Sequence, residues 1–447
     1  MRIAIIGAGL GGLTAALALV ADGHDVVVRE AAAHGGGVIG TSTVDGYVRE
    51  HASSSFLGGP PRGMAALCAA MGVPVEKASP AAKARWIYLD GKLRALPASP
   101  LAFVRSDLLT WRGKLDLLRE PLRPARRVGT GEGGDDESMH AFAARRFGAE
   151  AARAIIAPFV TGVYAADAHD ISLAAGFPRL AALDAAGGIV RGSLRGMLRR
   201  KKEPGATPRG MYAPAGGMGA VTDKLVAELG ARVRFGSPVR AVEARADGLG
   251  VRVDGESFDG AVLATPAQLG ASLVAPVSAD LAARLREFQR APMAQVYLGF
   301  RADQVARAAN GFGALVALGE DVRVLGIVFE STVWAGRAPA GHVLLRCIFG
   351  GSRDPGAASL ADGALVALAV TDVATVLGAT GAPSHASVVR WPHGVAQYRV
   401  GHKERVRDAS AVARRARIAL AGADYRGAGV NDLVADAKLV AAEVASW

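Results

Sequence analysis

MRIAIIGAGLGGLTAALALVADGHDVVVRE, residues 1–30, decides the fold of this 447-residue chain. The stretch predicts a short apolar strand, a glycine turn, an Ala- and Leu-rich helix and a second strand that ends at Glu30. Gly7, Gly9 and Gly12 form the pattern G-x-G-x-x-G, whose glycines permit a tight turn and let a pyrophosphate approach the helix N-terminus. Glu30 is placed to accept hydrogen bonds from a ribose hydroxyl. The stretch therefore predicts a dinucleotide site.

A second glycine cluster, AAAHGGGVIGT, follows at residues 31–41. Nicotinamide-binding domains do not require such a cluster. The stretch resembles the E-A-x-x-R-x-G-G-x-x-x-T extension of flavoproteins of the amine-oxidase type, with His34 at the usual arginine position and Gly36, Gly37 and Thr41 in place. The spacing favours FAD over NAD.

The composition indicates a globular enzyme: 51% of the residues are hydrophobic and 21% are charged. The two cysteines, Cys68 and Cys347, are far apart, which excludes a disulfide framework, a C-x-x-C redox pair and a cysteine metal cluster, and we predict no metal site. The uncharged runs 3–21 and 260–279 are interrupted by glycines or prolines, so we expect neither to span a membrane. A cytoplasmic protein is expected.

The net charge of +11 is concentrated in two stretches, residues 112–127 and 191–202. In the second stretch Arg191, Arg195 and Arg199 share one helix face. Two interpretations stay open: a solvated helix face, or a basic amphipathic surface that rests on anionic lipid at the inner face of a membrane. Nucleic acid is not favoured, because the chain shows no aromatic interleaving and no known binding module.

Further along the chain, the pattern predicts one nucleotide-binding domain assembled from separated pieces. Residues 98–202 are mostly helical, and alternating strands begin at Met211 and recur up to ASVVRW (386–391). The final stretch, from residue 418, again predicts strand, glycine turn and helix. The fold class is α/β (α+β overall), with a Rossmann-type FAD-binding domain and a substrate domain built on a mixed or antiparallel sheet. The expected boundaries are 1–78, 206–268 and 412–447 for the FAD-binding domain, 79–97 and 269–411 for the substrate-binding domain, and 98–205 for a helical domain that can face a membrane.

The middle of the chain carries the most specific likeness. PFVTGVYAADAHDISLAAGFPRLAALD, residues 158–184, resembles the P-F-x-x-G-V-Y-A-G-D-x-x-x-L-S-x-x-A-x-F-P segment of protoporphyrinogen oxidases. The likeness continues at 311–316, 337–339, 350–355, 390–391, 397–398, 401–406 and 422–434. Carotenoid desaturases and monoamine oxidases share the two glycine motifs but not these middle segments.

The resemblance implies an FAD-dependent removal of six electrons from a porphyrinogen in haem biosynthesis, with O₂ as the acceptor. The flavin would carry the chemistry, so no catalytic base is named. The substrate is left open between protoporphyrinogen IX and coproporphyrinogen III, and a homodimer is left open as the oligomeric state. The alternatives are an amine oxidase or desaturase on the same fold, and a flavin-free binding protein with that fold.

Site residues are implied one at a time by the same resemblance. Arg85 matches an arginine that pairs with a substrate propionate, and its alternative interpretation is a solvated charge at a strand edge. Leu315, Val328 and Ile348 match apolar positions that sandwich the macrocycle, although apolar strand residues are more often plain core. Ala165 matches backbone near the pyrrole nitrogens.

The cofactor residues combine the glycine motifs with matched positions. Ala52 and Ser53 stand where the family commonly has Gly-Pro beside the flavin, Val239 matches the adenine position, and Trp391 matches an aromatic residue near the flavin. No cysteine lies near the last motif, so the FAD is expected to be non-covalent. The full expected set is Gly7, Gly9, Leu10, Gly11, Gly12, Glu30, Gly36, Gly37, Gly40, Thr41, Ala52, Ser53, Val239, Trp391, Gly422, Ala428, Gly429 and Val430.

Overall fold

A computed structural model describes residues 1–124, 135–199, 204–306 and 310–447. Parts of both basic stretches, residues 125–127 and 200–202, lie outside the described residues. In the described part, no helix is both long enough and apolar enough to cross a membrane.

A parallel sheet of five strands forms the centre of the nucleotide-binding region. Its strands are short apolar runs that are buried on both faces, as parallel strands in α/β folds are. Their order across the sheet is Val233–Arg234, Asp25–Arg29, Arg2–Ile6, Gly260–Leu263 and Ile418–Leu420. Three separated pieces of the chain thus build one sheet, and the predicted fold class is confirmed. The domain boundaries stay a proposal.

The first strand shows how the two faces of this sheet are covered. Ile3 and Ile5 point into one core cluster, and Ala4 and Ile6 point into another, because side chains alternate along a strand. The first face is covered by helices Leu10–Ala21, Met64–Ala70, Gly219–Leu229 and Val430–Ala445. The second is covered by helices Ala267–Val274, Ala279–Arg286 and His402–Arg415 and by the antiparallel strands Val242–Ala244, Val251–Val253 and Glu256–Phe258.

A second sheet has seven strands, which run in the order His385–Ala396, Arg290–Arg301, His342–Gly350, Gly326–Val328, Gly313–Val316, Trp86–Leu89 and Lys92–Ala95. Neighbouring strands are antiparallel except Gly313–Val316 and Trp86–Leu89, which are parallel. In ARWIYLDGKLRALP, residues 84–97, the turn dipeptide Asp90-Gly91 between two apolar runs predicts a hairpin. The last two strands form this hairpin, and both turn residues have positive φ, 50° and 69°. Helix Asp362–Leu377 packs on one face of the sheet, and the other face is turned towards the candidate site.

Smaller elements lie outside the two sheets. The strands are the hairpin Thr41–Val44 and Tyr47–Glu50 and the antiparallel set Phe56–Leu57, Met211–Pro214 and Val75–Lys77, and the short helices are Glu330–Val333 and Pro355–Ala358.

In its described part, the segment of residues 98–202 is mostly helical, as predicted. Its helices are Pro100–Arg105, Trp111–Leu118, Met139–Phe147, Ala149–Ala151, the π-helical turn Ala152–Ile156, Ala157–Tyr164, Leu173–Gly176, Pro178–Ala185 and Ile189–Arg199. A buried ion network joins them: Arg146 lies 2.7 Å from Glu120 and 3.0 Å from Asp184. Glu120 also accepts the N–H of Ile189 at 2.7 Å, so it caps the helix that carries the second basic stretch.

Candidate cofactor and substrate site

The first glycine turn requires glycine at Gly7 and at Gly12. Gly7 has a φ of 107°, and a Cβ on Gly12 would lie 2.0 Å from the carbonyl oxygen of Gly7. The second glycine cluster packs directly against this turn, since the N–H of Gly36 donates to the carbonyl of Ala8 at 2.8 Å. Gly37 also has a positive φ, 61°. The two motifs therefore form one bare backbone surface at the carboxyl ends of the parallel strands.

The last helix meets the first at the same edge. A Cβ on Gly11 would lie 3.1 Å from Cα of Gly422, so these two turns touch. Helix Leu10–Ala21 starts after Gly9, and helix Val430–Ala445 starts after Gly429 and Ala428. Both N-termini present free N–H groups and the positive end of a helix dipole to the space between them, which favours anionic or electron-rich groups.

Glu30 is held in place by the chain itself. One carboxylate oxygen accepts the N–H of Ala8 at 2.7 Å, and the other accepts the N–H of Ala32 at 2.9 Å. Ser237 donates its N–H to the carbonyl of Glu30 at 2.8 Å, and Val239 follows Ser237 by two residues. A fixed carboxylate beside bare glycine turns and two helix N-termini fits the ribose and phosphates of a dinucleotide.

Thr41 and Gly40 contact the strand Tyr47–Glu50 and the residue after it, His51. The Thr41 hydroxyl donates to Glu50 at 2.6 Å and accepts the N–H of Gly219 at 2.9 Å. Glu50 also pairs with Arg337 at 2.8 Å. Burial raises the pKa of Glu50, although Arg337 and Thr41 oppose that shift. The side chain of Thr41 thus acts within the protein, as a support for the strand that leads to Ala52 and Ser53.

Trp391 reaches the same segment from the seven-stranded sheet. Its indole N–H donates to the carbonyl of His51 at 2.7 Å. Ala52 and Ser53, the next two residues, are half-buried. The structure thus brings Trp391, Ala52 and Ser53 together.

The three predicted macrocycle residues share one face of the seven-stranded sheet. Leu315 and Ile348 both pair with Gly326, from opposite sides, and Val328 lies two residues beyond Gly326 on the middle strand. Gly326 has no side chain, and Cδ2 of Leu315 lies 3.4 Å from the position that a Cβ on Gly326 would take, so Leu315 covers part of the gap. Leu315 and Ile348 are half-buried and Val328 is buried, and together they form one apolar surface, the apolar wall.

Ala165 closes the wall at one end. It ends helix Ala157–Tyr164 in the left-handed conformation, with a φ of 48°, and its carbonyl accepts the N–H of Ser352 at 2.8 Å. Ile348 packs against the small cluster that contains Ala165. A Cβ on Gly162 would come within 2.5 Å of the Leu315 side chain, so this helix lies directly on the wall. Ala165, Leu315 and Ile348 are therefore neighbours.

Arg85 lies at the opposite, solvent-facing end. It immediately precedes strand Trp86–Leu89, in which Ile87 pairs with Leu315. The guanidinium is exposed and lies 5.7 Å from the centre of the Phe312 ring. Within the described residues no carboxylate pairs with it. Arg85 is thus an exposed cation at the start of the strand that neighbours the apolar wall.

Sequence reasoning missed several residues of this region. Arg346, within the apolar strand HVLLRCIF, is buried and pairs with Glu330 at 2.9 Å. Burial alone would lower the pKa of Arg346, but Glu330 raises it above its ordinary value. Behind the last glycine turn, burial lowers the pKa of His402 to about 4, and its ring donates to the carbonyl of Tyr425 at 3.0 Å. The charge inside an otherwise apolar strand was the available signal for Arg346.

Comparison with known proteins places this geometry in a family. The profile of the flavin containing amine oxidoreductases matches residues 10–445. The chloroplastic protoporphyrinogen oxidase of Oryza sativa subsp. japonica is 30% identical over 89% of this chain and 79% of its own length. The coproporphyrinogen III oxidase of Bacillus subtilis (strain 168) is 23% identical over 100% of this chain and 98% of its own.

The fold also matches a solved structure. A protein from Exiguobacterium sp. 255-15, provisionally assigned as a protoporphyrinogen oxidase, superposes with a TM-score of 0.82 at 22% identity, over 99% of this chain and 98% of that one. The chain belongs to the flavin-containing amine oxidoreductase family, in the branch that includes the protoporphyrinogen oxidases.

Proposed function

We propose that this protein is an FAD-dependent porphyrinogen oxidase, which removes six electrons and six protons from the macrocycle in three two-electron steps and passes the electrons to O₂. The observation that carries the proposal is the apolar wall of Leu315, Val328 and Ile348, with an unpaired arginine at its open end and a dinucleotide cradle behind it. A flat apolar ring that bears carboxylates matches that arrangement.

The cofactor is proposed to be FAD rather than a mononucleotide, because the site has a place for each part of a dinucleotide. The N-terminus of helix Leu10–Ala21 would hold the pyrophosphate, Glu30 the ribose, and Val239 the adenine. Ala428, Gly429 and Val430 would face the flavin and its ribityl chain. Bound FAD would supply the acceptor for each pair of electrons. Non-covalent binding is proposed because the sequence has no cysteine after Cys347.

The chain's own residues would then bind and orient the substrate. Arg85 would pair with a propionate, since its planar fork suits a carboxylate. Leu315 and Ile348 would cover the ring and exclude water, and the backbone at Ala165 would face the pyrrole nitrogens. The domain boundaries given above and a homodimer are further proposals.

An anionic membrane surface is the proposed docking partner of the helical segment. Large apolar side chains in this segment are 45–79% exposed: Leu101, Val104, Trp111, Leu115, Leu118, Leu122, Val190 and Leu194. The exposed arginines Arg105, Arg112 and Arg119 lie among them. Apolar side chains that alternate with cations match the boundary between acyl chains and anionic headgroups, and they favour a peripheral location at the inner face of a membrane.

The test is an assay of porphyrin fluorescence with protoporphyrinogen IX and with coproporphyrinogen III as separate substrates. The proposal expects porphyrin formation, with three O₂ consumed per porphyrin. Acid precipitation of the protein should release FAD, identified by chromatography against FMN. A protein that releases no flavin, or that oxidises amines and neither porphyrinogen, would refute the proposal.

A further inference from the structure

The segment that follows Glu50 is held to the seven-stranded sheet through its carbonyl groups. Tyr297 donates its hydroxyl to the carbonyl of Glu50, and Trp391 donates to the carbonyl of His51 at 2.7 Å. Arg346 donates to the carbonyl of Ala52 at 2.6 Å. Three consecutive carbonyls are thus bound by three side chains.

These three donors come from three adjacent strands. Tyr297 lies on Arg290–Arg301, which pairs with the strand of Trp391 on one side and with that of Arg346 on the other. Arg346 makes a second contact, from its other terminal nitrogen to the hydroxyl of Ser54 at 3.0 Å. The arginine therefore spans the segment from Ala52 to Ser54, and its fork fixes both ends.

The arrangement leaves backbone N–H groups of the segment available to a ligand. The N–H groups of Ala52, Ser53 and Ser54 have no hydrogen-bond partner within the described residues. Since the neighbouring carbonyls are already bound to the sheet, these donors are the polar groups that the segment can offer to a ligand. Ala52 and Ser53 are the positions expected beside the flavin.

Arg346 is unusual in its surroundings. Its side chain is 7% exposed and that of Glu330 is 1% exposed, so the pair is removed from water. Burying an ion pair costs free energy of desolvation that packed apolar residues would not require. Arg346 also lies two residues before Ile348 on the same face of the same strand. One strand thus contacts the flavin-facing segment and carries part of the substrate wall.

The geometry points to Arg346 as a positioning residue that sets where the flavin-facing segment 51–54 lies relative to the substrate wall. Glu330 orients its guanidinium, and the fork holds Ala52 and Ser54 so that the free N–H groups face the flavin. This inference rests on the proposed function, but it concerns the binding of the flavin and can be tested without substrate.

The test compares two buried ion pairs. Replacing Arg346 alone would leave Glu330 buried and unpaired, so the variant is the neutral pair R346Q/E330Q. Its control is R146Q/E120Q, a buried pair in the helical segment, where Asp184 loses Arg146 but keeps its ion pair with Arg145 at 2.7 Å. For each protein one measures the thermal unfolding midpoint, the dissociation constant of FAD, and the visible absorbance spectrum and midpoint potential of the bound flavin.

We expect R346Q/E330Q to bind FAD at least tenfold more weakly, about 1.4 kcal/mol, and to shift the flavin spectrum and potential. The control should unfold at a lower temperature but leave the flavin affinity, spectrum and potential unchanged. Unchanged flavin properties in R346Q/E330Q, or equal changes in both variants, would overturn the inference.

A second variant serves if the neutral pair does not fold. R346K keeps the charge beside Glu330 but lacks the fork that spans Ala52 and Ser54. It should fold and bind FAD several-fold more weakly, whereas wild-type affinity and spectrum in R346K would also overturn the inference. Porphyrin formation by the wild-type protein is measured separately, so a failure of the proposed function is distinguished from a failure of this inference.

Discussion

Replacing Gly9 by alanine is expected to weaken cofactor binding without unfolding the protein. Gly9 has a φ of −70° and a ψ of 172°, which any residue adopts. Among the described residues outside its own turn, an added Cβ meets only Cα of Gly37, at 4.0 Å, an ordinary van der Waals distance. The folded chain therefore accepts the methyl group, which occupies the space where we propose that a phosphate approaches the backbone.

The size of the effect follows from what the methyl group would block. A hydrogen bond to a charged group contributes about 1.5–3 kcal/mol, so the loss of one raises the dissociation constant of FAD roughly 10- to 150-fold. The apoprotein changes little. Alanine restricts the unfolded chain, which stabilises by about 0.4–1 kcal/mol, and it is a poorer N-cap than glycine, which offsets this gain.

Two further glycine substitutions serve as controls for the effects on FAD affinity and on the stability of the apoprotein. Gly363 lies in helix Asp362–Leu377, and an added Cβ meets nothing within 4 Å, so G363A should bind FAD as the wild type does. In G12A the Cβ would lie 2.0 Å from the carbonyl oxygen of Gly7, and the apoprotein should be strongly destabilised.

For each variant, calorimetric titration of the apoprotein with FAD gives the dissociation constant, and urea unfolding of the same sample gives the free energy of unfolding. Wild-type FAD affinity in G9A would refute the placement of a phosphate at this turn. An apoprotein of G9A as unstable as that of G12A would refute the steric argument.

Three other outcomes are expected. R85A should raise KM for the porphyrinogen about tenfold or more and leave kcat largely unchanged. R94A should leave KM unchanged, because Arg94 already pairs with two aspartates. Equal KM values for R85A and the wild type would remove Arg85 from the site. The protein should bind anionic vesicles better than neutral ones, less so at high salt, and L118E/L122E should lose that binding; equal binding to both vesicles would contradict the membrane proposal. Burial lowers the pKa of His402 to about 4 in the folded chain. Between pH 6.5 and 4 the unfolded chain therefore binds a proton that the folded chain does not bind. The free energy of unfolding should therefore fall by about 3 kcal/mol between pH 6.5 and 4, and urea titrations of H402Q should lack this step.

The sequence predicted those parts of the fold that neighbouring residues determine. The strand, turn and helix at residues 1–30 follow from apolar runs and from glycines at Gly7 and Gly12, where an added side chain would strike the backbone. The hairpin at Asp90-Gly91 follows in the same way, because both residues tolerate positive φ. Local sterics are sufficient in these places.

Contacts between distant segments could not be read from any pattern. The hydrogen bonds from Tyr297, Arg346 and Trp391 to the segment after Glu50 join residues that are 247, 294 and 340 positions apart. Thr41 was expected at the cofactor, yet its hydroxyl donates to Glu50 and accepts from Gly219, a use that motif spacing does not reveal. A motif position gives the location of a side chain but not its hydrogen-bond partners.

The division of the site between two sheets has a consequence for how such an enzyme would be tuned. The dinucleotide cradle belongs to the parallel sheet, and the wall of Leu315 and Ile348 belongs to the seven-stranded sheet. Side-chain hydrogen bonds to residues 50–54 join the two sheets, as does the ion pair of Arg290 with Asp424 at 2.8 Å, so in the proposed enzyme these contacts contribute to the separation between flavin and substrate. In the proposed enzyme, the neutral pair R346Q/E330Q or a substitution at Trp391 would therefore shift residues 51–54 relative to the wall and change the distance between flavin and substrate, whereas a substitution within either sheet core would change stability first.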